Sequence, residues 1–294
     1  MRVFKLADVS ELLARHGLEH RALIDITVDF DGRICLFLTS SLPEALSSSG
    51  RVYVLLLDVD WERGEVRFEE RRDLGVQEKR YGFLRPYGDG FLLLSDRCRF
   101  RNGRGEPNAA IVSADGTLRR ALCLGDGIRD CITATDRRII VGYFDEGIYG
   151  GNGWKDPIGR PGVIVWDGAG NILWKNEKYD IRDCYAMNLD SAGRLWFYYY
   201  MDFNLVCASP GKDTVLRMDI RGSEGFALSR DQKRLMMAGG YDDDAYYLLD
   251  RAGGKRREPI ICGGDEIAPD FHFFCGTKLI FLARGGGLYG CDFL

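Results

Sequence analysis

The chain has 294 residues, with 37 glycines against 8 prolines, and 46% of its residues are apolar. This composition indicates an ordered chain with frequent tight turns and excludes a proline-rich linker or a disordered segment. The formal net charge of −4 excludes a generally basic surface for nucleic acid. No apolar run reaches the roughly 18 residues that a membrane helix requires.

The N-terminal segment MRVFKLADVSELLARHG lacks the continuous apolar stretch of a secretory signal. The nine cysteines include no CxxC pair, and most lie within apolar runs such as RICLFL and LVCAS. This spacing favours reduced, buried thiols over a disulfide framework or a zinc site. We therefore predict a cytoplasmic protein that has neither nucleic-acid nor membrane partners.

An internal repeat sets the predicted fold. The segments GIRDCITATDRRIIVGYF, from Gly127, and DIRDCYAMNLDSAGRLWFYY, from Asp180, nearly duplicate each other. Each predicts a strand, a turn and a second strand, and two further strand-like runs follow, as in GVIVWDGAG and NILWKN. Four antiparallel strands in sequence are the unit of a β-propeller blade.

The same pattern extends along the whole chain and predicts one all-β domain over residues 1–294, a six-bladed β-propeller of four-stranded antiparallel blades. First strands are predicted to begin near residues 24, 81, 130, 183, 224 and 270. Only five fourth strands follow, so the N-terminal run at 2–8 is predicted to complete the last blade, ahead of a short helix. Seven blades would need a start that the sequence lacks, and a two-domain α/β fold would need βαβ units.

The chain resembles six-bladed propellers of the broad TolB-like and NHL-like kind. The stretches YFDEGIYGGNGW (143–154) and DCYAMN (183–188) are similar to sequences in largely uncharacterised bacterial propeller proteins. The resemblance implies the fold but no established activity, because propellers host many functions.

Candidate site residues follow from the blade pattern. We call the face at which first strands begin, and which carries the loops between second and third strands, the upper face. Aligning the first strands predicts that carboxylates of four blades converge at the channel mouth. They are Asp130, Asp183, Glu224 and Asp270. They would bind Ca²⁺ or another divalent cation, or would instead staple the turns entering their strands.

Loops on the same face add candidate ligand-binding residues. The long segment from Gly142 to Gly162 would form a flap over the channel mouth or an ordered clasp between blades. Its glycines do not follow a dinucleotide-binding pattern, so no nucleotide cofactor is expected. Acids and aromatics in these loops suit a cationic or sugar-like ligand, and arginines suit a carboxylate or phosphate. The predicted ligand-binding residues are Asp145, Glu146, Tyr149, Trp154, Tyr200, Asp202, Arg97 and Arg99.

Three functional hypotheses remain open. The first is binding of a small ligand, a cation or a protein partner at an acidic, aromatic upper face. The second is a calcium-assisted hydrolase or lyase, by analogy with lactonase-like propellers, with His272 as the proton-transferring residue. The third is a protein-interaction scaffold. Two further histidines, His16 and His20, are expected at the surface, and the sequence does not decide whether the protein is an enzyme.

Overall fold

The order of strands along the chain produces six four-stranded antiparallel sheets. A computed structural model describes residues 1–18, 22–40, 50–77, 79–250 and 254–294. It confirms the predicted six-bladed propeller, and each inner strand begins within two residues of its predicted start.

The first blades are built as follows. The chain opens with β1 (Phe4–Asp8) and α1 (Val9–Arg15). Blade 1 comprises β2 (Ala22–Val28), β3 (Ile34–Thr39), β4 (Gly50–Asp60) and β5 (Glu65–Gln77). Blade 2 comprises β6 (Phe83–Tyr87), β7 (Gly90–Leu94), the small hairpin β8 (Phe100–Arg101) and β9 (Arg104–Gly105), then β10 (Ala109–Val112) and β11 (Leu118–Leu122). Blade 3 comprises β12 (Ile128–Thr133), β13 (Ile139–Tyr143), the short helix α2 (Asp145–Tyr149), β14 (Val163–Trp166) and β15 (Ile172–Lys175).

The remaining blades repeat the plan. Blade 4 comprises β16 (Asp183–Leu189), β17 (Leu195–Tyr200), β18 (Asn204–Cys207) and β19 (Thr214–Arg217). Blade 5 comprises β20 (Phe226–Leu228), β21 (Arg234–Ala238), β22 (Tyr246–Asp250) and β23 (Lys255–Arg257). The hairpin β24 (Ile261–Cys262) and β25 (Asp265–Glu266) leads to blade 6, which comprises β26 (Pro269–Cys275), β27 (Lys278–Ala283) and β28 (Gly287–Asp292).

The N-terminal strand closes the ring, as predicted. β1 pairs antiparallel with β28, so residues from both ends of the chain form the last blade. Leu6 points into the core formed by blades 1 and 6, whereas Lys5 is exposed. The Asp8 side chain then caps α1 by accepting the amides of Ser10 and Glu11 at 3.0 and 3.2 Å. The N-terminal strand therefore covers the outer edge of β28 and supplies the fourth strand of blade 6.

The core lies between neighbouring blades. Second strands are covered on both faces, so they read as continuous apolar runs without alternation, and all five residues of β7 and of β13 are buried. Fourth strands face outward, and every residue of β15 and of β19 is exposed. The apolar clusters therefore each span adjacent blades.

Turns on the lower face are fixed by an Asp-x-x-Gly-Arg pattern in blades 1 and 4. Asp190 accepts the backbone amide of Arg194 at 3.0 Å and pairs with its guanidinium at 2.8 Å. Asp29 and Arg33 repeat this arrangement. Gly193 takes φ +71°, which non-glycine residues rarely adopt. Asp29 and Asp190 therefore staple turns on the face opposite the predicted site.

Candidate functional site

An arginine closes the middle of the central channel. Arg85, on β6, donates through Nη1 to Asp25 of β2, and its Nη2 lies 3.4 Å from Oδ1 of Asp130 on β12. Its Nε donates to the carbonyl of Cys131. Asp25 also accepts the backbone amides of Ile26 and Leu84, at 2.9 and 3.0 Å. One guanidinium therefore joins blades 1, 2 and 3 at the channel axis.

Charge balance explains this arrangement. Burial lowers the pKa of Arg85, but the facing carboxylates of Asp25 and Asp130 outweigh it and leave the pKa raised. Burial also raises the pKa of Asp130, against the opposing effect of Arg85. Arg85 and Asp130 line both an upper chamber of about 340 Å³ and a lower chamber of about 330 Å³. The ion-paired group therefore lies between the two halves of the channel.

The channel mouth carries a second charged group. Arg129, at the start of blade 3, donates to Glu224, which precedes blade 5. Asp183 of blade 4 begins β16 near both residues, and its Oδ1 is buried without a hydrogen-bond partner among the described residues. Burial raises the pKa of Asp183 to about 6, with additional contributions from Asp145 and Glu224, against the opposing effect of Arg129. Asp183 is therefore a carboxyl group that titrates near neutral pH.

His272 lines the upper chamber, on β26. Its Nδ1 lies 3.4 Å from the Tyr246 hydroxyl, and its ring packs 4.9 Å from that of Phe274. Burial lowers the pKa of His272, while the nearby Glu224 opposes that effect. The imidazole is therefore neutral at pH 7 and could accept a proton. His16 pairs with Glu69 at 3.0 Å on blade 1, and His20 lies outside the described residues.

The four carboxylates predicted to form a ring have different surroundings. Asp130 faces Arg85, Glu224 pairs with Arg129, and Asp270 lies 3.3 Å from Arg284 at the rim. Asp183 stands beside Arg129. Within the described ranges, no group of three or more His, Cys, Asp and Glu side chains has the arrangement of a metal site. Calcium binding by these carboxylates stays a prediction from the sequence alone, and the arginines beside Asp130, Glu224 and Asp270 oppose it.

Strand register shows why the predicted equivalence of Asp130 and Asp183 is wrong. Asp130 pairs with Gly142 and lies three residues before the end of β12. The corresponding position in blade 4 is Ala186, which pairs with Tyr198, three residues before the end of β16. By the same count, the equivalent of Asp130 in blade 1 is Asp25. The repeated Asp-Cys dipeptide therefore occurs at two different depths in the channel.

A basic cleft lies beside the mouth, between blade 2 and the long loop of blade 3. Its volume is about 1090 Å³, and the charges lining it are five basic residues against two acidic ones. Phe83 and Arg129 line both this cleft and the upper chamber, so the two spaces adjoin. The charged lining residues are Lys79, Arg80, Arg97, Arg99, Arg129, Asp96 and Glu106.

Two carboxylates, those of the buried Asp126 and the exposed Glu146, hold Arg97 in this cleft. Its Nε lies 3.4 Å from Oδ1 of Asp126, and its Nη2 donates to Glu146. Asp126 is 2% exposed and accepts the Cys98 amide at 2.6 Å and the Asn152 side-chain amide at 3.0 Å. The Arg97 guanidinium is consequently fixed in orientation while 39% of its side chain stays exposed.

The long loop of blade 3 is held against blade 2. The Trp154 indole donates to the carbonyl of Cys98 at 2.7 Å, and its ring packs 4.7 Å from that of Phe100. The amide of Phe100 donates to the carbonyl of Asn152 at 2.9 Å. Trp154 is itself buried. These contacts correspond to the clasp alternative, with the loop forming one wall of the basic cleft.

The other predicted ligand-binding residues are dispersed over the upper face. Asp145 is exposed at the start of α2, and Tyr149 is exposed beside a separate groove between blades 3 and 4. Tyr200 belongs to an aromatic group and packs 5.6 Å from Phe203. Asp202 accepts the Tyr199 hydroxyl at 3.3 Å. The structure therefore brings Arg97, Arg99 and Glu146 together at the basic cleft. It does not bring the other four residues there: Asp145, Tyr149, Tyr200 and Asp202.

Two site residues were not identified from the sequence: Arg85 and Arg129. Arg85 follows a predicted strand start by four residues, but its partners Asp25 and Asp130 lie 60 and 45 residues away in the chain. Arg129 pairs with Glu224, 95 residues away in the chain. Nothing in the local sequence indicates that contact.

Comparisons with known proteins support the fold alone. No family model matches the chain, and no curated relative does. A chain of the mitotic checkpoint complex is 12% identical, with a TM-score of 0.53 over 93% of this chain and 77% of that chain. Virginiamycin B lyase from Staphylococcus aureus is 12% identical, with a TM-score of 0.52 over 92% and 94%. Hsv2 from Kluyveromyces lactis is 11% identical, with a TM-score of 0.52 over 93% and 74%.

None of the helices in the described ranges is long and apolar enough to span a membrane. The similar structures include an enzyme and a protein from a multiprotein complex.

Proposed function

We propose that the protein binds a small anionic molecule in the basic cleft of the upper face. The observation that carries the proposal is the excess of five basic over two acidic residues in the cleft lining, in a chain whose net charge is −4. Carboxylates outside this lining pair with Arg97 and Arg129, so the partly exposed guanidinium groups, and not a large net positive charge, would attract the anion.

The arginines are prepared for such a ligand. Arg97 and Arg129 are each held by a carboxylate, yet 39% and 34% of their side chains remain exposed. A guanidinium has five N–H donors, so each retains donors for a carboxylate or phosphate. Because the ion pairs already restrict both side chains, binding costs less conformational entropy.

The apolar side chains that line the cleft indicate which kind of anion would bind there. Phe83 and Phe144 line the cleft among the arginines, and the Arg97 guanidinium lies 5.6 Å from the Phe144 ring centre. A volume of about 1090 Å³ suits a small organic molecule better than an inorganic ion. We therefore infer a ligand that combines a carboxylate or phosphate with an apolar or aromatic part.

The test is calorimetry and thermal unfolding with inorganic phosphate, succinate and phenyl phosphate at low and high salt. Phenyl phosphate should bind most tightly, and Arg99→Gln should weaken it about tenfold through loss of one charge-assisted contact. Arg101→Gln is the matched control, because Arg101 is exposed on the same hairpin but is not part of the cleft lining. Equal effects of the two substitutions, or no binding of any anion, would overturn the proposal.

A lyase or hydrolase reaction is the second candidate. His272 is a neutral imidazole in the upper chamber that adjoins the cleft, and one similar structure is a lyase. Turnover of a bound anion that disappears in His272→Gln while binding persists would establish catalysis. Binding without turnover would leave a ligand-binding protein.

A further inference from the structure

Two cysteine thiols lie side by side next to the basic cleft. The Sγ atoms of Cys98 and Cys123 are 3.6 Å apart, although the residues are 25 positions apart in the chain. Cys98 lies between β7 and β8 and is 2% exposed, whereas Cys123 follows β11 and is half-buried. A disulfide bond is about 2.05 Å long, so a modest side-chain movement would bring the sulfurs within bonding distance.

The surroundings give the two thiols different reactivity. The hydrogen bond shared with Cys98 lowers the pKa of Cys123 to about 7, against the effect of burial, and the Gly125 amide and Lys79 lower it further. The Cys98 sulfur also lies 3.0 Å from the Glu106 carbonyl oxygen, a second acceptor for its single S–H, and the hydrogen bond with Cys123 and burial raise the pKa of Cys98. Cys123 is therefore the residue that ionises to a thiolate, whereas Cys98 stays a protonated thiol.

The backbone around the pair is closely packed. A Cβ placed on Gly105 would lie 2.5 Å from the Cys123 sulfur and 2.6 Å from the Trp154 ring. The Cys98 amide and carbonyl are fixed by Asp126 and Trp154. Both sulfurs are thus carried by ordered segments, and their proximity follows from the tertiary contacts of blade 2.

We propose that Cys98 and Cys123 form a reversible dithiol–disulfide couple that responds to hydroperoxides. The Cys123 thiolate attacks the peroxide oxygen, so that an S–O bond forms, the O–O bond breaks, and the alcohol or water leaves after taking a proton. The Cys98 sulfur then attacks the sulfenic acid, forming the S–S bond and releasing water. Two thiols and one hydroperoxide thereby give one disulfide, one alcohol or water, and one further water.

The disulfide would fix one wall of the basic cleft. Cys98 lies between Arg97 and Arg99, and Lys79 both lines the cleft and influences Cys123. Oxidation would tie this segment to the end of β11 and restrict the two arginines. This effect on anion binding rests on the proposed function, whereas formation of the disulfide does not.

The chemical test uses the full-length protein, reduced, desalted and treated with equimolar hydrogen peroxide. Thiol titration should show a loss of two free thiols, and mass spectrometry a decrease of about 2 Da with a cross-linked peptide joining Cys98 and Cys123. Dithiothreitol should restore both thiols. Cys98→Ser should instead accumulate a sulfenic acid at Cys123 that traps with dimedone, and Cys262→Ser, at another half-buried cysteine, should behave as wild type.

The proposal is overturned if oxidised wild type lacks the 98–123 cross-link, or if Cys98→Ser and wild type give the same products. Because this readout is made on wild type, it does not depend on a variant folding. Phenyl phosphate affinity is then measured before and after oxidation. If the disulfide forms but the affinity for phenyl phosphate is unchanged, only the proposed effect of oxidation on anion binding is overturned.

Discussion

At the scale of single residues, the site depends on which carboxylates meet an arginine. Asp25 and Asp130 share Arg85, and Glu224 meets Arg129, so these groups are neutralised within the protein. Asp183 has Arg129 nearby but no hydrogen-bond partner for its buried oxygen among the described residues. Removing one partner of such a pair leaves an uncompensated charge, so these arginines are not interchangeable with neutral residues.

Asp183→Asn should stabilise the protein at pH 7.5 and have little effect at pH 4. The raised pKa, about 6, means that the folded state favours the protonated acid. The penalty for ionisation is therefore absent below the unfolded pKa of about 4, grows as pH rises, and is complete above about 6. Allowing for solvent screening of this half-buried group, we expect a gain of about 1 kcal/mol in the free energy of unfolding at pH 7.5.

Urea denaturation at both pH values measures this difference, with Asp270→Asn as the control. Asp270 lies at the rim beside Arg284, whose side chain is 92% exposed, so its substitution should change little at either pH. Equal effects of Asp183→Asn at the two pH values would contradict the assigned titration.

At the scale of strands, register decides which side chains reach the channel. The bulges lie at the same place in the two inner strands, between Ile128 and Asp130 in β12 and between Cys184 and Ala186 in β16, but the Asp-Cys dipeptide follows the bulge in β12 and precedes it in β16. Similar local sequences therefore present different residues to the axis. Counting from the turn that follows each inner strand would have aligned Asp130 with Asp25, because that turn anchors the register.

The closing strand provides the test at this scale. Leu6→Ala should lower the free energy of unfolding by about 2 kcal/mol or more, since Leu6 is buried between blades 1 and 6. Lys5→Ala, on the exposed side of the same strand, should stay within about 0.5 kcal/mol of wild type. Urea denaturation with matched circular dichroism measures both. Equal, small effects would show that β1 contributes little to closure.

At the scale of the whole molecule, the ring places loops from different blades on one face. The basic cleft combines the connection before blade 2, the loop after β7, the start of blade 3 and the long blade 3 loop. Apart from Ile24, these segments lie between residues 79 and 152 and belong to two neighbouring blades. A propeller is well suited to this assembly, because its rigid strands hold the variable loops.

Adding Ca²⁺ should not raise the thermal stability of the protein. Asp130, Glu224 and Asp270 each lie within 4 Å of an arginine, so a divalent cation would have to displace those arginines. We expect the thermal midpoint of EDTA-stripped protein to shift by less than about 1 °C in millimolar Ca²⁺ relative to Mg²⁺. A calcium-selective increase that disappears in Asp130→Asn would support the predicted metal site.

The sequence by itself determined the number of blades, the position of each inner strand and the closure by residues from both ends. Apolar runs bounded by turns carry this information locally, because second strands such as β7 and β13 must be apolar on both faces. The tertiary structure alone decided the site. Arg85 meets Asp25 and Asp130 across 60 and 45 residues, and a pairing at that separation depends on strand register and blade packing, which no local pattern encodes.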